Sequence, residues 1–119
     1  MPKLMNMSEI YNSYIRGVGY ADYQLAKNLK AGDTLVLRPD GNNPKHDDKR
    51  AIRVETKQGV HLGYIAKEDT HIFWHYRSQG VKITTLLTAY NKTNPTWFML
   101  AIASFVSADA ADPDETAAF

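Results

Sequence analysis

The sequence predicts a mainly β domain: a small closed or partly open barrel of about six strands, carrying two short helices. Three observations carry this. Short apolar segments with strand-like alternation recur along the chain, separated by polar turns. Helical spacing appears in two short stretches, Ala21–Lys30 and Lys67–Ser78, and no long crossover helix is present to link parallel strands. About six short strands leave unpaired edges unless the sheet closes on itself. With 119 residues, 44% of them hydrophobic, the chain has material for one core and one domain.

The elements follow in order. Residues 1–13 read as an N-terminal lead-in and Tyr14–Val18 as the first strand, with Gly17 and Gly19 marking a bulge or a close backbone approach. Leu25, Ala26 and Leu29 sit at helical spacing, and Gly32 takes the place of a left-handed cap. Thr34–Arg38 is a strand, and Pro39–Arg50 is a long polar loop dense in turn formers. In Ala51–Val54, Ile52 and Val54 face in, which turns Arg53 outward. A turn at Gln58-Gly59 leads to the strand Val60–Ile65, where alternation puts Val60, Leu62 and Tyr64 on one face and His61, Gly63 and Ile65 on the other. The second helix has an apolar stripe of Ile72, Phe73 and Tyr76, with Glu68 and Asp69 in the first turn where the helix dipole favours acids. Val81–Ala89 is a strand, Tyr90–Pro95 a turn, and Thr96–Phe105 the last strand. The domain therefore spans residues 14–105, and 106–119 form a flexible acidic tail.

Composition removes several functions. Without cysteine there is no disulfide framework, thiolate metal site or cysteine nucleophile. No apolar run approaches the ~20 residues that span a bilayer, and the first residues lack a secretory h-region, so the reading is a cytoplasmic protein with no membrane partner. The net charge of +1 conceals a division. Residues 106–119 hold four acids and no base, which leaves 14 basic against 9 acidic residues in the body, a charge of +5. A mildly basic body suits a polyanion. Lys45, His46, Lys49, Arg50 and Arg53 concentrate that charge in and just after the long loop.

Rival chemistries have thinner support. His71 and His75 lie four apart on one helix face, but the stretch lacks the glutamate of a zinc protease and an evident third ligand. Asp47 and Asp48 with Asp40 could hold Mg²⁺ as a nuclease would. There is no phosphate-binding glycine loop and no nucleophile elbow. The expectation is a binding module, not an enzyme, with no cofactor. The acidic end with its terminal Phe119 leaves a protein-interaction adaptor as the alternative.

Four features in order resemble the HIRAN domain: Gly17-Val18-Gly19-Tyr20; Gly32-Asp33 with Leu35 and Leu37; Asn43-Pro44 and Asp47-Asp48 ahead of Ala51-Ile52 and Val54; and Gly59 with Leu62-Gly63-Tyr64-Ile65 before Lys67-Glu68. The resemblance covers Tyr14 to Phe105. It implies a small barrel related in shape to the oligonucleotide-binding (OB) fold, of the stand-alone bacterial or phage type. It also implies DNA binding: the version in a eukaryotic helicase-like transcription factor grips the free 3′ end of single-stranded DNA. Carried onto this sequence, Tyr20 meets the terminal base, and Asp47 or Asp48 accepts a hydrogen bond from the terminal sugar hydroxyl. Tyr64 and Lys67 flank the phosphate path, Trp97 or Phe98 supplies a second stacking ring, and Lys45, His46 and Arg53 attract phosphate. The resemblance also implies a role in DNA repair, replication or processing beside a helicase or nuclease partner. Two positions depart from the eukaryotic pattern: Gly19 replaces a basic residue, and Lys45 or His46 stands where an aromatic follows Asn-Pro.

Overall fold

The computed structural model describes residues 7–16, 29–41, 49–94 and 97–110, with side chains described outside 90–99 and 108–110. Six strands, β1 (Met7–Tyr14), β2 (Thr34–Pro39), β3 (Ile52–Thr56), β4 (His61–Tyr64), β5 (Val81–Asn94) and β6 (Trp97–Ala110), form one antiparallel sheet in the order β1-β6-β5-β2-β3-β4. Between β4 and β5 a 3-10 turn, Lys67–Asp69, runs directly into helix α1, Thr70–Ser78. The helix expected over Ala21–Lys30 falls largely outside the described residues.

Closure is the feature that places the site. The sheet edges are β1 and β4, and the chain leaving β1 crosses to β4. Arg16 and Tyr64 exchange both backbone hydrogen bonds, each 2.8 Å, while Ile15 still donates to the Leu100 carbonyl at 3.0 Å. The mainly β, nearly closed barrel read from the sequence is therefore the architecture present. Gly63 makes the approach feasible. A Cβ there would collide with the Arg16 carbonyl oxygen and press on Ile15 Cδ1.

Inside, Leu37, Ile52, Val54, Leu62, Phe73, Leu87, Leu100 and Ile102 are fully buried. The central hairpin β5–β6 bends through three register shifts, the irregularity that lets a sheet curl around such a core. Phe73 of α1 covers one side of the core and meets Tyr11 of β1 edge to face at 5.1 Å. The Tyr11 hydroxyl then donates to Asp69 at 2.7 Å, which ties β1 to the start of α1.

The structure moves several boundaries. The first strand is Met7–Tyr14, not Tyr14–Val18: Tyr11, Ser13 and Ile15 point inward, and the serine weakened the apolar alternation that would mark a strand. Tyr90–Pro95 is not a turn as a whole, because β5 continues through Asn94 and pairs it with Trp97. The last strand runs past Phe105 to Ala110, with Val106 and Ser107 paired to β1, so residues 106–110 belong to the sheet. Gly32, Gly59 and Gly80 do take the left-handed backbone their turns demand.

Candidate nucleic-acid interface

Register assembles a row of side chains that lies dispersed in the sequence. Arg38 of β2 stands opposite Arg53 of β3, Arg53 opposite Tyr64 of β4, and Tyr64 opposite Arg16 across the closing bridge. Residues directly opposite in a ladder share a face, so Arg38, Arg53, Tyr64 and Arg16 line the outer side of the barrel in one cross-strand row. Arg53 points out, as the burial of Ile52 and Val54 requires. Tyr64 corrects strict alternation. The β3–β4 register skips Leu62, since Val54 faces Gly63 and Glu55 faces His61. That bulge returns Tyr64 to the side of His61, and the two rings meet edge to face at 5.0 Å instead of lying on opposite faces.

The row is partly neutralised. Glu55 contacts Arg38 Nε at 2.8 Å through one carboxylate oxygen and Arg53 Nε at 2.7 Å through the other. The first is a well-aligned hydrogen bond; the second is a charge contact whose N–H is poorly aimed. One carboxylate against two guanidiniums leaves this triad at +1. The Tyr64 hydroxyl donates to Asp40 at 2.8 Å. Arg16 meets Glu68 at 3.2 Å, but both side chains are about two-thirds exposed (67% and 66%), so water screens the pair. His61 sits beneath the row with its pKa lowered, first by burial and then by the neighbouring Arg53 charge, and is held neutral.

Glu68 also joins the row to a recess of about 300 Å³ lined by Arg50, Lys67, Glu68, Thr70 and His71. Here the end of the long loop meets the start of the helical segment. The loop is pinched at its base: Asp40 N–H donates to the Ala51 carbonyl at 2.8 Å, and Gly41 packs against the Lys49 backbone. Trp74 of α1 donates its Nε1–H to the Arg50 carbonyl at 2.9 Å, which fixes Arg50 relative to the helix. A second depression, about 370 Å³, lies at the other end of β2 and β3, among Leu29, Gly32, Asp33, Thr34, Thr56, Lys57 and Gln58. Its Asp33 carboxylate is occupied by the Lys30 N–H, and it gathers no cluster of cations.

Of the sequence-derived site residues, Tyr64 and Arg53 meet in the row, and Lys67 lines the adjoining recess with Arg50. Tyr20, Lys45, His46, Asp47 and Asp48 lie outside the described residues. Trp97 and Phe98 open β6 opposite Asn94 and Lys92, and their rings are also outside what is described. Arg16, Arg38 and Glu55 escaped sequence reasoning. Alternation from Arg53 could have flagged Glu55, but nothing local could have paired Arg16 with Tyr64. His71 enters as a lining residue of the recess. Among the described residues no three His, Asp or Glu side chains gather as a metal-holding group. Nor is any helix among them long and apolar enough to cross a membrane.

Comparison with known proteins agrees with this architecture. The family model for the HIRAN domain matches residues 9–103. A crystal structure of a protein from Lactobacillus plantarum superposes with a TM-score of 0.69, at 22% identity over 84% of this chain and 94% of that one. The HIRAN domain of human HLTF superposes as a crystal structure with a TM-score of 0.61, at 18% identity over 88% and 83% of the two chains. Its NMR structure gives 0.50, again at 18% identity, over 87% and 82%. No curated protein matches the chain. Identities this low speak to the fold alone, but the family model spans most of the sequence, from β1 into β6: the chain belongs to the HIRAN domain family.

Proposed function

We propose that this chain is a nucleic-acid-binding module that takes single-stranded DNA near a free 3′ end. It acts without catalysis of its own, in the cytoplasm, as an accessory to DNA repair, replication or processing beside a helicase or nuclease. One observation carries the reading. Cations from three separate parts of the sequence converge on one side of the barrel: Arg16 from the closing bridge, Arg50 from the loop end, and Lys67 from the helix start. The recess between them has the polar lining a phosphate requires, with Thr70 and His71 beside the cations. Tyr64 adds a ring next to this path. In the same reading Tyr20 and one of Trp97 or Phe98 stack on bases, Lys45 and His46 draw in the backbone, and Asp47 or Asp48 accepts from the terminal hydroxyl. A carboxylate placed there repels an internal phosphate and so favours ends over interiors.

Because Glu55, Glu68 and Asp40 already engage part of the row, few cations remain to displace counterions. Two or three phosphate contacts would give a slope of log K against log salt of roughly −1.4 to −2.1 for a single strand. The test is fluorescence anisotropy with single strands carrying a free or a blocked 3′ end, at two salt concentrations. Tighter binding to the free end with a slope in that range is expected. Equal binding to both strands removes the end preference, and a flat salt response removes the phosphate contacts.

A further inference from the structure

We propose that Tyr14 is a stacking residue for a base beyond the terminal two, extending the single-strand path along β1 beyond the end-binding recess. The inference rests on the nucleic-acid reading above and adds to it a residue that carries none of the family motif. Among the described residues, Tyr14 is the large apolar or aromatic side chain left exposed, at 50%. A single half-exposed ring is ordinary on a protein surface, and what singles out Tyr14 is its place beside the cationic row. Its position follows from backbone register. Ile15 is buried, so Tyr14 and Arg16 share the outer face of the strand. Arg16 shares that face with Tyr64 across the bridge. Tyr14 therefore stands about 7 Å along the strand from Arg16 and one strand away from Tyr64.

Two further details favour a flat, negatively charged occupant. Opposite Tyr14 on β6 is Ala101, and opposite Ala101 on β5 is Ala89. Neither methyl group is long enough to cover the ring, which keeps its own half exposure. On the other side lie Arg16, paired among the described residues with the exposed Glu68, and beyond Tyr64 the Arg53 of the +1 triad. Ring, cation and ring thus alternate as Tyr14, Arg16 and Tyr64, the arrangement that holds successive bases with the linking phosphate between them.

The experiment measures anisotropy of a labelled thymidine dinucleotide and an octanucleotide, both with free 3′ ends, on wild type and Tyr14→Ala. Tyr14→Ala is expected to weaken the octanucleotide by about 5- to 150-fold, the effect of removing one stacked base, and to leave the dinucleotide unchanged. Tyr14→Phe restores wild-type affinity. Tyr14→Thr keeps the strand propensity and repeats the loss if Tyr14→Ala folds poorly by circular dichroism. Wild-type affinity for the octanucleotide in both Tyr14→Ala and Tyr14→Thr overturns the inference while leaving the nucleic-acid reading intact. Equal weakening on both lengths overturns the extension by placing Tyr14 at the end pocket. Failure of the wild type to bind either strand overturns both readings together.

Discussion

Replacing Gly63 by alanine tests whether the closing bridge is what builds the binding face. The backbone at Gly63 is not in the left-handed region, so a methyl group there meets no conformational penalty of its own. What it meets is the Arg16 carbonyl oxygen, with Ile15 Cδ1 at 3.1 Å behind it. The carbonyl is backbone and accepts from Tyr64 N–H, so it can yield only by lengthening the bridge. Two hydrogen bonds at about 0.5–1.5 kcal/mol each, with some loosening of buried Ile15, give a cost of roughly 2–4 kcal/mol. For a domain of this size that lowers the melting temperature by roughly 10–20 °C. Gly80→Ala is the control: φ is +73° and the space is open, so the cost is the left-handed penalty alone, about 1–2 kcal/mol. The assay is urea unfolding followed by tryptophan fluorescence, paired with DNA anisotropy at a temperature where both variants are folded. Gly63→Ala is expected to lose more stability than Gly80→Ala. It is also expected to lose DNA affinity that Gly80→Ala keeps, because Arg16 and Tyr64 shift together. Equal losses of stability, with DNA affinity preserved in Gly63→Ala, would refute the claim that closure at this glycine sets the face.

Two further outcomes follow from the site chemistry. Glu68→Gln removes the carboxylate from the recess and releases Arg16 from an exposed pair; DNA affinity measured by anisotropy rises about 2- to 5-fold, while stability changes by less than about 1 kcal/mol. Stability against pH, read from urea midpoints, falls at both ends. Burial, with the hydrogen bond to Asp69, pushes Tyr11 up to about 12 from its ordinary 10, so the unfolded chain ionises first and stability is lost as pH climbs through that window. His61 has the opposite displacement. Below its ordinary value of 6.5 the unfolded chain takes a proton that the folded side chain resists, and stability falls as pH drops. Tyr11→Phe flattens the alkaline limb and His61→Gln the acid one; an unchanged limb in either variant assigns that titration to another group.

The fold was legible where local chemistry is unambiguous. Ile52, Arg53 and Val54 alternate cleanly because both faces of β3 differ sharply in surroundings, and Phe73 marks the buried side of α1. Glycines at 32, 59 and 80 announced their turns because only they adopt positive φ without strain. Boundaries failed where polar residues occupy inward positions. Ser13 points inward from β1 and hid its phase, and the buried hydroxyl pair Thr85–Ser104, 2.8 Å apart, shows that this core admits such residues when they bond each other. Asn91, Lys92, Thr93 and Asn94 looked like a turn by composition, yet Asn91, Lys92 and Asn94 pair along a hairpin whose partner strand is strongly apolar, with Thr93 at a register shift.

The site was legible in its residue types and illegible in its assembly. Tyr64, Arg53 and Lys67 carry the right chemistry, but which side each faces depends on a bulge, and Leu62 inserts that bulge without any sequence mark. Arg16 is the sharper case. It lies forty-eight positions before Tyr64 and joins it solely because the strand edges meet there. Charge reading placed the basic cluster in the loop and just after it, where Lys45, His46, Lys49, Arg50 and Arg53 lie close together in sequence. The pairing joins Arg53 instead to Arg38 and Arg16, across three strands and the closing bridge. A closed sheet turns residues far apart in sequence into neighbours through hydrogen bonds that every residue can make, so the backbone pairing itself carries no side-chain signature. Gly63 is the exception that proves readable: a glycine within a strand records the close approach of another backbone, and the backbone it records is that of Arg16.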